Sequence, residues 1–254
     1  MKITRVIAIA LIAVMLLSIP AFAQSRDGLA FSVDMKYTAS KTFEESPVTF
    51  EAWINIPSSV TGRGGIILGS WGGNDLNVSF EVSDNGVPRF YADNGKIDVK
   101  FTTAKVNVDE WVHLAIVYRA SKNTVLCYVN GELKGTYTTS INYPLDTTHK
   151  MCLGGDYRTN NEQYFKGKIS SVAVYSDERS MQEIASDMNS YGTDDLIAYY
   201  ELTNSASMKI RDLSGNGYDM SRPLVWINES DIEPLDEFAY SFAVIGDKIG
   251  RAHV

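Results

Sequence analysis

The stretch VTFEAWINIP (residues 48–57) decides the fold class of this chain. Its residues alternate between two faces, which is the period of a β-strand. One face carries apolar side chains only: Val48, Phe50, Ala52, Ile54 and Ile56. The other face is mixed: Thr49, Glu51, Trp53 and Asn55. Pro57 lacks the N–H that a strand ladder needs, so we expect the strand to end there.

Three Asn-Gly pairs lie between further strand-like runs, at residues 85–86, 94–95 and 130–131. Asn-Gly suits the positive φ angles of two-residue hairpins. The first two pairs divide residues 76–101 into a three-strand meander, and the third turns a hairpin within residues 111–138. Many short strands at regular spacing predict an all-β fold, a two-sheet antiparallel jelly-roll sandwich with one short helix.

That helix is predicted in DERSMQEIASDMN (residues 177–189). Ser180 and Glu183 have the S-x-x-E spacing of a capping box. The apolar side chains that follow are spaced as one helical stripe; they are Met181, Ile184, Ala185 and Met188. We expect the helix to be short and to pack on the edge of a sheet.

Three segments in this order resemble the laminin G-like, concanavalin A-like jelly-roll domains: VTFEAWINIP, WVHLAIVYRASKNTVLCYVNGEL (residues 111–133) and FKGKISSVAVYSDERSMQEIASDM (residues 165–188). The resemblance covers residues 28–219. It implies the jelly-roll fold but only a broad range of functions, because this fold carries adhesion modules, lectins, pentraxin-like proteins and glucanases.

The family's usual opening strand and D-x-S-G-N-G turn resemble LIAYYEL (residues 196–202) and IRDLSGNGYD (residues 210–219) near the other end of the chain. Two interpretations follow. These segments either open a second copy of the domain or form the last strands that close the first copy. The chain does not continue into another A-W-I strand, which favours closure.

The first 23 residues have the pattern of a secretory signal peptide. Lys2 and Arg5 precede an apolar run that is too short for a spanning helix, and Ala21-Phe22-Ala23 forms a cleavage site. We therefore expect a secreted, cell-surface or periplasmic protein with no membrane span after cleavage. The net charge of -8 argues against a nucleic-acid partner, since nucleic acid requires a basic surface.

Two cysteines, Cys127 and Cys152, would reach an oxidising compartment, where they could form a disulfide. Both lie in strand-like runs, so two buried free thiols are an equal alternative. The three histidines are scattered along the sequence and show no zinc-ligand spacing.

Two loops carry the aromatic, amide and carboxylate groups that bind sugars or peptides. In SWGGND the candidates are Trp71, Asn74 and Asp75, and in GGDYRTNNEQY they are Tyr157 and Asn160. Gly, Asn and Asp also build turns, so both segments could simply be connecting loops.

Calcium is the one cofactor that the resemblance implies, because related jelly rolls hold it through Asp and Asn side chains. The candidate ligands are Asp156, Asp212 and Asn216. A tight turn built by Gly215 and Gly217 is the competing interpretation of the second segment.

No catalytic residues are predicted. The E-x-D-x-x-E strand of related glucanases is absent, and so are the G-x-S-x-G, H-E-x-x-H and P-loop patterns. The best-supported function is therefore a non-catalytic recognition module that binds an extracellular glycan or protein, as an accessory part of a larger protein.

The end of the chain has a different character. We expect an acidic linker at residues 221–239, followed by a buried strand at residues 240–247. FAVIGD (residues 242–247) resembles the first strand of calcineurin-like metallophosphoesterases, which would make Asp247 a metal ligand. The alternative function is thus the N-terminal part of a secreted phosphoester hydrolase. A last edge strand of the sandwich is the other interpretation.

The final segment KIGRAHV (residues 248–254) resembles a translated sequencing adapter and is set aside as a non-native tail. The predicted organisation is a signal peptide at 1–23, a jelly-roll domain at 24–220, the linker, the strand and this tail.

Overall fold

The computed structural model describes residues 26–32, 35–70, 78–145, 148–156, 163–204 and 207–222. These residues form a two-sheet antiparallel β-sandwich with one short α-helix. The strands are β1 (Leu29–Phe31), β2 (Tyr37–Ala39), β3 (Thr49–Asn55), β4 (Arg63–Gly69), β5 (Val78–Asp84), β6 (Pro88–Ala92), β7 (Ile97–Lys100), β8 (Trp111–Arg119), β9 (Thr124–Val129), β10 (Glu132–Thr138), β11 (Cys152–Leu153), β12 (Gly167–Tyr175), β13 (Leu196–Glu201), β14 (Lys209–Ile210) and β15 (Met220–Ser221). The helix, α1, spans Met181–Asp187, and no helix in the described part of the chain has the length and apolar character to cross a membrane.

The seven-stranded sheet has the order β1-β12-β3-β8-β9-β10, with β13 also paired to β12. Strand β3 pairs along its whole length with β12 on one side and β8 on the other. On its free side, β12 pairs with β1 near its start and with β13 further along. Strands β1 and β13 therefore lie end to end along β12.

The eight-stranded sheet has the order β14-β15-β2-β11-β4-β5-β6-β7. Strand β13 comes from LIAYYEL, and β14 and β15 lie at the two ends of IRDLSGNGYD. Because β13 joins one sheet and the β14–β15 pair joins the other, these segments complete this sandwich instead of starting a second one.

The main core lies between the two sheets and is built by the alternation predicted for β3. Phe50, Ala52 and Ile54 point inward and are 1 % exposed or less. The Phe50 ring centroid lies 6.1 Å from that of Phe80 and 5.6 Å from that of Phe90, both on the opposite sheet. Burial of one such phenylalanine contributes about 2–3 kcal/mol.

The Asn-Gly pairs occupy the turns predicted for them. Asn85 (φ 60°) and Gly86 (φ 75°) connect β5 to β6, and Asn130 (φ 51°) and Gly131 (φ 77°) connect β9 to β10. Asn94 and Gly95, also at positive φ, lie between β6 and β7. These angles match the twist of the flanking strands, which fixes the hairpin register.

The helix begins with the predicted capping box. The backbone N–H of Glu183 donates to Oγ of Ser180, and the Ser180 N–H donates to Oε2 of Glu183. The packing differs from the prediction, because α1 lies over the outer face of the seven-stranded sheet. Ile184 is fully buried there, whereas Met181 is 48 % exposed.

Two side chains of α1 are buried, Ile184 and, one turn later, Asp187. The other apolar residues of the predicted stripe are not buried. The Asp187 carboxylate is paired with the Arg179 guanidinium at 2.7 Å, and both side chains are nearly fully buried. One of the two buried side chains of α1 belongs to an ion pair. The spacing of apolar residues therefore does not identify the buried face of this helix.

Candidate functional site

The outer face of the eight-stranded sheet carries a small polar pocket of about 110 Å³. Its lining side chains alternate with core residues along β5 and β6, as strand geometry requires. The pocket is lined by Arg63, Ser79, Glu81, Arg89, Tyr91 and Gln163. We call this surface the outer-face pocket.

A charge network fixes the floor of the outer-face pocket. Glu81 is 1 % exposed, and its carboxylate accepts hydrogen bonds from Arg63 Nη2 and, at 2.8 Å, from Arg89 Nη1. Arg89 Nε donates to Oδ1 of Asp98 at 2.6 Å. This hydrogen bond lowers the pKa of Asp98, so that carboxyl stays ionised.

Tyr91 adds an aromatic surface to this network. The guanidinium carbon of Arg89 lies 5.1 Å from its ring centroid, and Tyr91 is paired with Ser79 across β5 and β6. Because Glu81 holds Nη1 and Asp98 holds Nε of its guanidinium, Arg89 cannot move far from the ring. The pocket is thus a rigid combination of one aromatic ring, two guanidinium groups and two carboxylates.

Described residues that flank the two predicted binding loops lie in or next to this pocket. Before and after the first loop, the Ser70 N–H donates to the Val78 carbonyl and the Val78 N–H donates to the Ser70 hydroxyl. Near the end of the second loop, the carbonyl of Gln163 accepts from the N–H of Ile66 on β4. The predicted ligand-binding residues Trp71, Asn74, Asp75, Tyr157 and Asn160 themselves lie outside the described residues.

The predicted calcium ligands occupy two places. Asp156 follows β11 and is buried, and its backbone carbonyl accepts from Lys36 Nζ at 2.7 Å. Asp212 and Asn216 lie together in the turn between β14 and β15, so β15 and β2 separate them from β11 in the sheet.

In that turn the Asp212 carboxylate accepts from the Tyr199 and Tyr218 N–H groups and from the Ser214 hydroxyl. The Asn216 amide donates to the carbonyls of Leu196 and Ile197. Within the described ranges, no group of three or more His, Cys, Asp or Glu residues could hold a metal ion. Calcium binding stays a prediction.

Of the two alternatives for the cysteines, a disulfide or two buried free thiols, the structure shows the second. Cys127 on β9 points into the core between the sheets. Cys152 belongs to the other sheet, and its Sγ lies 3.5 Å from the Thr38 hydroxyl. Its neighbour Leu153 points into the core, so Cys152 points away from it. Two side chains on different sheets and facing different ways cannot be bridged. Burial raises the pKa of Cys152 to about 11.

The outer face of the seven-stranded sheet holds a polar cluster that the sequence analysis missed. Glu51 on β3 and His113 on β8 are fully buried, with Glu51 Oε2 3.2 Å from His113 Nε2. Loss of solvent raises the pKa of Glu51 well above its ordinary value, with a smaller contribution from Asp187. Burial, helped by Arg26, lowers the pKa of His113 to about 3. Burial therefore favours the uncharged form of both groups.

Beside this cluster lies a cavity of about 380 Å³, which we call the junction cavity because it forms where β1 begins and β13 ends. The alternation in residues 48–57 did place Glu51 and Trp53 on the outer face. It gave no signal for Tyr191 or Tyr199, which reach the same place from much later in the chain.

Asp247, the proposed phosphoesterase strand and the tail at residues 248–254 lie outside the described residues, as do the signal peptide and most of the acidic linker. The corresponding boundaries stay predictions.

The model of a known family, the concanavalin A-like lectin/glucanases superfamily, matches residues 33–185. The chain belongs to this superfamily. The match confirms the resemblance that the sequence showed and agrees with the observed jelly-roll sandwich. A search of curated protein sequences found no match.

Several solved structures are similar to this chain at low sequence identity. A proposed carbohydrate-binding protein from Bacteroides ovatus is similar with a TM-score of 0.60 and 20 % identity, over 77 % of this chain and 57 % of that one. The chain thus spans little more than half of that protein. A heptameric SAP-like pentraxin from Limulus polyphemus gives a TM-score of 0.49 and 13 % identity, over 63 % of this chain and 78 % of that one. The CBM40 of a Ruminococcus gnavus sialidase, bound to α2,3 sialyllactose, gives 0.47 and 15 %, over 61 % and 98 %. At these identities the likeness shows the fold alone.

Proposed function

We propose that this domain is a secreted, non-catalytic carbohydrate-binding module whose site is the outer-face pocket together with the two loops beside it. The observation that carries the proposal is the outer-face pocket itself, where one aromatic ring and an ordered set of hydrogen-bonding groups meet. Membership of a superfamily that includes lectins is in keeping with this function.

The chemistry of the pocket suits a sugar. The apolar face of a sugar ring packs on an aromatic side chain, while its hydroxyls exchange hydrogen bonds with charged and amide groups. Tyr91 provides the ring, and Arg63, Glu81 and Gln163 provide donors and acceptors. The pocket is smaller than most ligand sites, so we assign the remaining contacts to Trp71 and to the other loop residues named above.

The charges of the pocket favour a neutral glycan. The two arginines are offset by the carboxylates of Glu81 and Asp98. The network also holds the pocket in one arrangement before a ligand arrives, which lowers the entropic cost of binding. An overall charge of -8 further disfavours strongly anionic polymers.

A glycan array with the full chain tests the proposal. We expect saturable binding to a neutral glycan, weakened about tenfold or more in Tyr91→Ala and in Trp71→Ala, which corresponds to about 1.4 kcal/mol. Tyr137→Ala is the matched control, because Tyr137 is 44 % exposed on β10 of the opposite sheet. Circular dichroism checks that each variant is folded. Absence of glycan binding, or equal binding by all variants, would contradict this function.

A further inference from the structure

The junction cavity is formed by the main chain at the meeting point of two strands. Leu202 follows β13 and donates its N–H to the Ser170 carbonyl of β12 at 2.8 Å. Asn204 donates its N–H to Oδ2 of Asp27, which precedes β1, at 3.2 Å. Its volume of about 380 Å³ is within the range of small-molecule sites, which is roughly 300–1,000 Å³. It lies on the opposite sheet from the outer-face pocket.

Aromatic rings form one wall of the junction cavity. The ring centroids of Tyr191 and Tyr199 are 4.8 Å apart, with the ring planes at 55°. Tyr191 is held in place by a hydrogen bond of 3.1 Å between its hydroxyl and Oγ of Ser171. Trp53, on the neighbouring strand β3, continues this wall and is 9 % exposed.

Two of the three carboxylates that line the cavity, those of Glu201 and Asp27, have no cationic partner among the described residues. Glu201 accepts a hydrogen bond from the Tyr199 hydroxyl, and Asp27 accepts from the N–H groups of Gly28 and Asn204. Neither forms a salt bridge with any residue in the described part of the chain. Asp187, a third acid of the lining, is neutralised by Arg179.

Arg26 is the single basic residue among the described residues that line the cavity, and its guanidinium is already engaged. Its carbon lies 3.7 Å from the Trp53 ring centroid, and Nη2 donates to the Met188 carbonyl at 2.7 Å. Met188 caps the C-terminal end of α1, where the carbonyls carry partial negative charge. This wall therefore already binds one cation through an aromatic face and an oxygen acceptor.

The other half of the cavity offers the same two elements, namely the tyrosine pair and the Glu201 carboxylate, and this carboxylate forms no salt bridge with a described residue. Cations are attracted to aromatic faces and to carboxylates together, more strongly where solvent is partly excluded. We propose that the junction cavity binds a small organic cation, an ammonium or guanidinium group, between Tyr191, Tyr199 and Glu201. This site is independent of glycan binding at the outer-face pocket.

Titration of the full chain with two probes tests the proposal, choline chloride for an ammonium and L-arginine methyl ester for a guanidinium. Binding is followed through the NMR signal of the Trp53 indole N–H, which donates to the Met188 carbonyl at 3.2 Å and is assigned with Trp53→Phe. We expect saturable shifts at millimolar concentration with at least one probe. The neutral isostere of choline, 3,3-dimethylbutan-1-ol, should give none, because the carboxylate attracts only the charge.

Glu201→Gln keeps the size of the side chain and removes its charge, so we expect it to weaken binding of the cation about tenfold. Glu110→Gln is the matched control, an exposed carboxylate outside the cavity lining. Thermal unfolding confirms that both variants fold. The proposal is overturned if neither cation binds, if the neutral alcohol binds equally well, or if Glu201→Gln binds as the unchanged protein does. Glycan binding should persist in Glu201→Gln, which separates failure of this site from failure of the proposed function.

Discussion

Replacement of Glu51 by glutamine should change how the stability of this protein depends on pH. Burial raises the pKa of Glu51 well above its ordinary value of 4.5, because the charged carboxylate has lost its solvent, and so favours the protonated form in the folded state. Unfolding releases that proton at any pH between the two pKa values. The unfolded chain then binds fewer protons than the folded one, so stability falls as pH rises.

His113 acts in the opposite direction. Its pKa falls from 6.5 to about 3 on folding because it is buried, so it gains a proton on unfolding below pH 6.5 and its contribution is lost as pH falls. Each group changes the free energy of unfolding by about 1.4 kcal/mol per pH unit within its own range. Between pH 4.5 and pH 6.5, the ordinary pKa values of the two groups, their opposite effects on the pH dependence of stability cancel. The contribution of the pair to the free energy of unfolding is therefore greatest in that interval and falls on either side.

In Glu51→Gln only the pH dependence of stability that is due to His113 remains. From about pH 5 to about pH 8 the variant should gain stability relative to the unchanged protein by up to about 4 kcal/mol, a limit reached if Glu51 stays protonated in the folded state throughout. Urea unfolding at a series of pH values measures this difference. Glu45→Gln, at an exposed position, should leave the pH dependence unchanged. Parallel stability curves for Glu51→Gln and the unchanged protein would refute the reasoning.

Two further predictions concern the helix and the cysteines. Ser180→Ala removes the helix cap and should lower the free energy of unfolding by about 1 kcal/mol, measured by urea unfolding, whereas Ser186→Ala, at an exposed position of the same helix, should have a smaller effect. A chromogenic thiol reagent without reductant should find no reactive thiol in the folded protein and two per unfolded chain, Cys127 and Cys152; fewer in the unfolded chain would show that they are bonded.

Local sequence patterns were sufficient to predict the longer strands, the hairpins and the helix cap, but not the short strands β1, β2 and β15. In residues 48–57 the alternation assigned Phe50, Ala52 and Ile54 to the core because period 2 is a property of the strand itself. Asn-Gly pairs identified turns because few other residues adopt two successive positive φ angles. The capping box was identified because Ser180 and Glu183 interact within one turn.

The same patterns did not predict what covers the outer face of β3. Glu51 was assigned to that face correctly, but its full burial depends on α1 and the segment after it, well over 100 residues further along the chain. The cysteines show the same limit. Each was expected in a strand, yet whether they could meet depended on which sheet each strand joined and which face each side chain took.

The two faces of the sandwich therefore present different chemistry for a physical reason. On the eight-stranded sheet the charges of Arg63 and Arg89 are offset by the carboxylates of Glu81 and Asp98 on neighbouring strands, which suits the neutral ligand proposed for the outer-face pocket. On the seven-stranded sheet a helix and two strand ends meet over the buried Glu51 and His113. The rim carboxylates of Asp27 and Glu201 accept hydrogen bonds but form no salt bridge with a described residue. A ligand that complements one face would be poorly matched to the other. If both sites bind as proposed, the module can hold a glycan and an organic cation at the same time, without competition between them.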